Sequence, residues 1–333
     1  MKHILITGGA GFIGSHVVGK YLKETTDRIT LIDRLDCSGN LNRLTYMGCP
    51  DPRVRFVFHD LRAPINEPVA LKIGTPDVIL HLAAATHVDR SITDPMAFVM
   101  DNVVATCNVL DFARQHAPNA RVLFFSTDEV FGPAPEGVAY GEWSRYKSGN
   151  PYAATKAGAE ELAIAYANTY GLDVFVSHTM NVVGPMQHWE KFVPSTIAKV
   201  MAGETVTIHA DKTRTKAGSR FYIHADDVAD AVLFLVGKAE AGEKYNIVGV
   251  QEVDNLALAQ MIADALGKPL HSKMVDFHSS RPGHDLRYAL SGRKMASMGW
   301  QPPHDIEGAI RETVAWYLAN PEWLGVESIR RVA

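Results

Sequence analysis

The chain has 333 residues, 47% of them hydrophobic and 21% charged, the balance of a globular enzyme with enough length for two interlocked lobes. Its 33 basic and 37 acidic side chains leave a net charge of −4, so no basic excess points to a nucleic-acid partner and no like-charge run points to a tail. Cys37, Cys49 and Cys107 show neither CxxC spacing nor an even-numbered framework; they read as free thiols of a reducing compartment, and no metal site is expected.

Met1-Lys2-His3 runs straight into the apolar stretch Ile4-Leu5-Ile6, which leaves no room for a leader. No apolar run reaches the ~18 residues of a membrane span. The expectation is a cytoplasmic protein without membrane contact. Strand-like runs follow at 3–7, 29–33, 54–59, 78–82, 122–126 and 174–178, with amphipathic helical segments at 16–23, 96–116 and 151–170. Strand–helix alternation predicts an α/β fold, a doubly wound parallel sheet of Rossmann type. After about Pro185 the rhythm changes. Helical segments at 192–201, 226–237, 255–266 and 306–320 mix with short strands at 206–209 and 244–248, which reads as a smaller C-terminal α/β lobe. The division is 1–185 for the nucleotide-binding domain and 186–325 for the substrate lobe, with a segment around 221–235 either staying in the second part or returning to the first.

The first strand leads into Gly8-Gly9-Ala10-Gly11-Phe12-Ile13-Gly14. Glycines 8, 11 and 14 between a strand and a helix let the backbone approach a pyrophosphate, and the helix N-terminus offers N–H donors. Phe12 and Ile13 open that helix. Asp33 closes the second strand, where a carboxylate accepts hydrogen bonds from the adenosine ribose and repels a 2′-phosphate. The cofactor reading is therefore NAD, with Arg34 softening the preference over NADP and a helix or turn cap as the bland role for Asp33. Asp60 and Leu61, after the third strand, suit the adenine amino group and ring; an ordinary turn carboxylate suits Asp60 equally.

The fifth strand delivers Ser126-Thr127-Asp128-Glu129 to the edge where doubly wound sheets place their chemistry. Thr127 can bond a substrate hydroxyl. Adjacent acids with different environments can serve as one acid and one base, although most such pairs are solvated turns. Tyr152 and Lys156 lie on one helix face at i,i+4. An ammonium beside a phenol favours the phenolate, so Lys156 is expected to lower the Tyr152 pKa.

Together these residues resemble the extended short-chain dehydrogenase/reductase family and, within it, the nucleotide-sugar 4,6-dehydratases, over nearly the whole chain. Thr127-Asp128-Glu129 is the most specific part, since the family's epimerases usually lack the acid pair and its decarboxylases keep only the glutamate. The resemblance extends to Leu82, Ala83 and Ala84 on the cofactor side, to His87 and Ser91 beside the sugar, and to Asn102 in a structural position. It implies substrate contacts for Asn181, Glu190, Lys191, Arg220, Arg281, His284 and Tyr288. Guanidinium groups at 220 and 281 suit diphosphate oxygens, surface salt bridges being the alternative. Val182 departs from the pattern, as does a longer, basic stretch over 209–219 carrying Lys212, Arg214 and Lys216.

The resemblance implies catalysis by Thr127, Asp128, Glu129, Tyr152 and Lys156, acting with NAD on a nucleotide-diphosphate hexose to give its 4-keto-6-deoxy derivative. The alternatives are a UDP-sugar 4-epimerase or UDP-glucuronate decarboxylase-like enzyme and, more remotely, a non-catalytic NAD-binding regulator. It also implies a homodimer through a four-helix bundle of the 96–116 and 151–170 helices. Val99, Val103, Val109, Phe112, Leu162 and Ala165 are the apolar positions for that bundle, or else intrachain core.

Overall fold

The computed structural model describes residues 1–36, 38–277 and 285–325. Seven parallel strands form the central sheet: β1 (His3–Thr7), β2 (Arg28–Asp33), β3 (Val54–Phe58), β4 (Val78–His81), β5 (Arg121–Thr127), β6 (Asp173–Thr179) and β7 (Lys244–Ile247), in the spatial order β7-β6-β5-β4-β1-β2-β3. The winding direction reverses between β1 and β4, and that switch point opens the ligand crevice at the carboxyl ends of the strands. Ile4 and Ile6 pack on one face with Val17, Val18, Val228 and Val232, whereas Leu5 packs on the other with Val109, Phe112 and Ala159. The period-2 alternation is hidden in sequence because both faces are covered and both sets are apolar.

Four helices position the site: α1 (Phe12–Glu24), α2 (Pro95–His116), α3 (Pro151–Tyr170) and α4 (Ala225–Lys238). A separate core gathers Val193, Ile197, Leu258, Ile262, Ile310 and Tyr317 from the helices Phe192–Met201, Asn255–Leu266 and Ile306–Ala319. Beside it lies the parallel pair Val206–Ala210 and Ser272–Asp276.

Four expectations change. The strand at 244–248, read as part of the second lobe, is β7 of the main sheet, and α4 packs beside α1. Lys244 and Asn246 are polar, yet all four residues of the strand are buried. The segment at 96–116 is not a regular α-helix: Val99–Val104 forms a π-helical turn inside it. That turn holds Asn102, whose side chain accepts from Ala85 N at 2.8 Å and donates to Ala85 O and Thr155 Oγ1. Rotating this amide out of α-helical register suits the insertion. The same 22-residue helix has a mean hydropathy of 1.3 in its most apolar stretch, enough to span a bilayer by length and composition, contrary to the count of apolar runs. Phe98, Ala105, Val109 and Phe112 are nevertheless buried in this fold. Val109 and Phe112 are therefore intrachain core, while Val99, Val103 and Leu162 are partly exposed and Ala165 is exposed. Cys49 and Cys107 are free thiols, and Cys37 lies outside the described residues.

The polar residues of β7 belong to a buried network that joins α3 to β6 and β7. Glu160 is 0% exposed. It accepts from Lys244 Nζ at 2.9 Å, pairs with His178 Nε2 at 3.1 Å, and takes the Tyr146 hydroxyl. His178 Nδ1 in turn meets Asn246 Oδ1 at 3.1 Å. Burial pushes the Glu160 carboxyl up, but His178 and Lys244 outweigh it and hold the group at about 2. Removing one partner of such a network leaves the others buried and uncompensated. Glu160→Gln is expected to cost about 3–5 kcal/mol, read as a lower urea midpoint at pH 7; an unchanged midpoint contradicts the network's role.

Candidate active site

The glycine loop begins where β1 ends. Gly8 has φ +71°, and a Cβ there would sit 2.8 Å from Ala83 N; a Cβ on Gly14 would sit 2.2 Å from Gly8 O. The turn is thus closed against both β4 and the start of α1. Gly11 caps α1 without a side-chain bond, and no acid occupies the helix's first turn, so its N–H groups face an anion site undiminished. A dinucleotide pyrophosphate fits this cradle.

Asp33 is fixed by the loop it serves. Its carboxylate accepts from Ala10 N at 3.1 Å and Leu35 N at 2.9 Å. Gly8, Gly11, Asp33, Arg34, Asp60, Leu61, Leu82, Ala83 and Ala84 all line one groove of about 610 Å³. Arg34 is committed elsewhere: its fork grips Asp101 at 2.6 and 2.9 Å, and Nε donates to Asp36 at 2.9 Å. These acids raise its pKa, and little of the guanidinium is left for a 2′-phosphate. Asp60 binds the Arg62 guanidinium, which holds its carboxyl at about 2.

A second cleft of about 1260 Å³ continues from Gly8, Gly11, Phe12, Ile13 and Gly14 to Thr127, Asp128, Glu129, Tyr152, Lys156, Asn181 and Lys191. Thr127 ends β5 and caps the short turn Asp128–Phe131. Its hydroxyl donates to Asp128 Oδ1 at 3.0 Å. Asp128 Oδ2 has no hydrogen-bond partner among the described residues. Burial, then the neighbouring Glu129 charge, pushes Asp128 up to about 7. Burial also raises Glu129, against the Asn150 amide that donates to its Oε2 at 3.1 Å. Asn150 further caps α3 by accepting from Ala153 N at 2.8 Å, with Pro151 at the first helical position.

This cap sets Tyr152 and Lys156 on the face of α3 that looks into the cleft. Lys156 Nζ donates to Phe125 O at 2.7 Å and lies 4.3 Å from the Phe124 ring centre; burial lowers its pKa to about 7. The expected lowering of Tyr152 does not occur. Burial, then the Glu129 carboxylate, raises the phenol, opposed only by contact with the Thr127 hydroxyl. The ammonium is occupied by a backbone carbonyl while the acids face the phenol.

The sugar-side expectations divide. Asn181 and Lys191 line the cleft. Ser91 is 0% exposed, and its hydroxyl donates to Val88 O and accepts from Tyr152 N. It positions the tyrosine and is not in the cleft lining. His87 and Glu190 are not in the cleft lining: Glu190 takes Arg90 at 2.9 Å, with His87 Nε2 at 3.9 Å. Arg220 donates to the carbonyls of Ser219, Leu286 and Asp285 and lies over the buried Tyr288 ring. In this structure both brace the segment from 285 and neither is in the cleft lining, although the Arg220 charge acts on Asp128 and Glu129. Arg281 and His284 lie outside the described residues. The basic stretch at 209–219 is a hairpin closed by an Ala210–Ala217 bridge and wrapped on Asp211, which accepts from Thr215 N and Lys216 N. Its Lys216 pairs with Glu136. Sequence reasoning missed Asn150, whose cap position before Pro151 was a usable signal, and Asp101 and Arg43, which had none.

A doubly wound parallel sheet with a glycine cradle at its first crossover, a Tyr–Lys helix face and a buried acid pair at the β5 edge defines a nucleotide-sugar enzyme of the short-chain dehydrogenase/reductase class. The chain belongs to the family described as GDP-mannose 4,6 dehydratase, whose model matches residues 5–313. A dTDP-glucose 4,6-dehydratase of Salmonella typhimurium is 36% identical over 96% of this chain and 94% of its own. The crystal structure of a dTDP-glucose 4,6-dehydratase from Streptomyces venezuelae with NAD and dTDP bound superposes with TM-score 0.87 at 36% identity, covering 96% and 98% of the two chains. A Thermus thermophilus UDP-glucose 4-epimerase in complex with NAD gives TM-score 0.85 at 29% identity, covering 95% and 99%.

The Asp128 shift has a consequence for stability. A carboxyl raised from about 3.9 to about 7 on folding binds its proton more tightly in the folded state. Its burial therefore costs stability as pH rises from 4 to 7, and the cost levels off above 7. Asp128→Asn is expected to be more stable than the parent at pH 8, by on the order of 2–4 kcal/mol, with the difference closing towards pH 4. Denaturant unfolding across that range checks it; a constant difference contradicts the shift.

Proposed function

We propose that this chain is an NAD-dependent dehydratase that converts a nucleotide-diphosphate hexose, of the dTDP-glucose or UDP-glucose type, to the 4-keto-6-deoxy sugar. The observation that carries this reading is the Asp128–Glu129 pair at the end of β5, buried beside Thr127 and Tyr152 and split by environment.

Bound NAD would take a hydride from C4 and return it to C6, so it is regenerated within each cycle. The chain's own groups handle the protons. Tyr152, a phenol in the ligand-free site, would have to give up its own proton before accepting that of the 4-hydroxyl, with Thr127 aligning that oxygen. Oxidation at C4 acidifies the C5 hydrogen, which Glu129 removes while Asn150 holds its carboxylate. Asp128, titrating at about 7, carries a proton at neutral pH for the departing 6-hydroxyl. Glu129 then returns its proton to C5. Lys156 keeps a cationic end beneath the strand terminus, on Phe125 O. The groove holding Asp33, Asp60 and Leu61 would take the adenosine, and the glycine cradle the pyrophosphate. Asn181 and Lys191 would meet the sugar nucleotide.

A homodimer belongs to the same reading. Val99 and Val103 are partly exposed and Ala165 is exposed, Leu162 is partly exposed while packing against the core, and Met96 is 67% exposed at the start of α2. Pairing α2 and α3 with their mates would cover them. Sedimentation equilibrium is expected to give twice the chain mass; a monomer at micromolar concentration contradicts the bundle.

Incubation with dTDP-, UDP-, CDP- and GDP-hexoses, without added cofactor, is expected to yield a 4-keto-6-deoxy product from one of them. An epimer or a pentose overturns dehydration. Glu129→Gln is expected to lose at least about 100-fold in product formation while still showing transient reduced nicotinamide on mixing with substrate. Tyr152→Phe is expected to abolish even that transient, and unchanged turnover in either variant contradicts its assignment.

A further inference from the structure

Arg43 is 3% exposed and forms no ion pair among the described residues. Its Nε donates to Met186 O at 3.0 Å, and Nη1 donates to Ala10 O at 3.2 Å and Ser38 O at 2.5 Å. Its guanidinium carbon lies 5.6 Å from the Trp323 ring centre. These direct partners are neutral, and the Asp33 carboxylate offsets the charge only from a distance, with no ion pair between them. Burial accordingly lowers its pKa. A buried charge left this way is unfavourable unless a counter-ion arrives.

The surroundings say which counter-ion. Arg43 lines the long cleft together with Gly8, Gly11 and Ser38. Ala10, whose carbonyl it holds, sits inside the glycine loop, one residue before the uncapped start of α1. With Nε and Nη1 taken by carbonyls, Nη2 is the nitrogen left to meet an anion, and it joins the helix N-terminus at one groove as a combined oxyanion site. Met186 and Trp323 belong to the smaller lobe's core, so the residue also ties that lobe to the loop.

We propose that Arg43 is a cofactor-binding residue whose guanidinium pairs with the diphosphate of the bound dinucleotide and slows its release. This rests on the NAD reading above. A cofactor regenerated in place has to stay through each cycle, and a charge that is compensated more fully in the loaded protein favours that state.

The test uses full-length protein freed of nucleotide. NAD affinity is measured by titration calorimetry, with the NAD-induced rise in Tm as a second readout. Arg43→Met is expected to weaken NAD roughly tenfold or more and to shrink the Tm rise, while leaving dTDP and UDP affinities and the ligand-free Tm close to the parent's. Arg43→Lys, which keeps the charge but not the fork, is expected to fall between, and it reads the same quantity if Arg43→Met does not fold. Unchanged NAD affinity in the variants overturns the proposal. So does a loss confined to dTDP or UDP, which moves the residue to the substrate's diphosphate. A lower ligand-free Tm with unaltered NAD affinity makes Arg43 a brace for three carbonyls only. If the parent protein itself binds no NAD, the cofactor reading fails before the variants are compared.

Discussion

The chemistry of this protein depends on desolvation at the carboxyl end of β5. Asp128, Glu129, Tyr152 and Lys156 are brought together where burial moves each away from its solution pKa, the acids and phenol upward and the amine downward. In water these four groups would be two anions, a neutral phenol and a cation. In the crevice, Asp128 and Lys156 both titrate near neutrality, so proton exchange costs little at working pH. The parallel sheet sets this up by ending a buried strand at an edge that the helices leave open.

Such a site needs support from behind. Asn150 caps α3 and holds Glu129 with one side chain. Asn102 ties the β4 loop to Thr155 from a π-helical turn, and Ser91 fixes the Tyr152 backbone. One further turn along the face that carries Tyr152 and Lys156 lies Glu160, whose charge balances His178 and Lys244 and favours the Lys156 ammonium. The strand that supplies Lys244 comes from late in the chain, so the two halves of the sequence share one electrostatic arrangement.

This also marks what was legible in the sequence. Gly8, Gly11 and Gly14, the Tyr152–Lys156 spacing and Thr127-Asp128-Glu129 were readable because local geometry fixes their relations: a tight turn, one helix face, one strand end. The doubly wound parallel sheet followed from strand–helix alternation. β7 was assigned to the wrong neighbourhood because it comes late in the chain, after the change of rhythm near Pro185; Glu160 and His178, far away in sequence, make the burial of Lys244 and Asn246 acceptable. Arg34 looked like a modifier of cofactor choice, but Asp101 takes its fork from a different helix. Which carbonyls and hydroxyls Ser91 and Arg220 meet was not readable, since tertiary packing decides it. Each side-chain miss is a polar group whose partner lies on a remote segment.

The Tyr152–Lys156 pair shows why motif spacing fixes position more firmly than charge. The i,i+4 relation places both side chains on one face, as expected. It does not decide which neighbour governs the phenol. Lys156 spends its donor on Phe125 O, whereas Glu129 and Asp128 face Tyr152 directly and oppose its ionisation. In the ligand-free protein the phenol therefore keeps its proton, and the acid pair that would carry out elimination also restrains the group that would begin oxidation. Protonation of either acid relaxes that restraint. Asp128, at about 7, is the acid poised to do so, which couples the proton held for the departing hydroxyl to the readiness of Tyr152 to accept one.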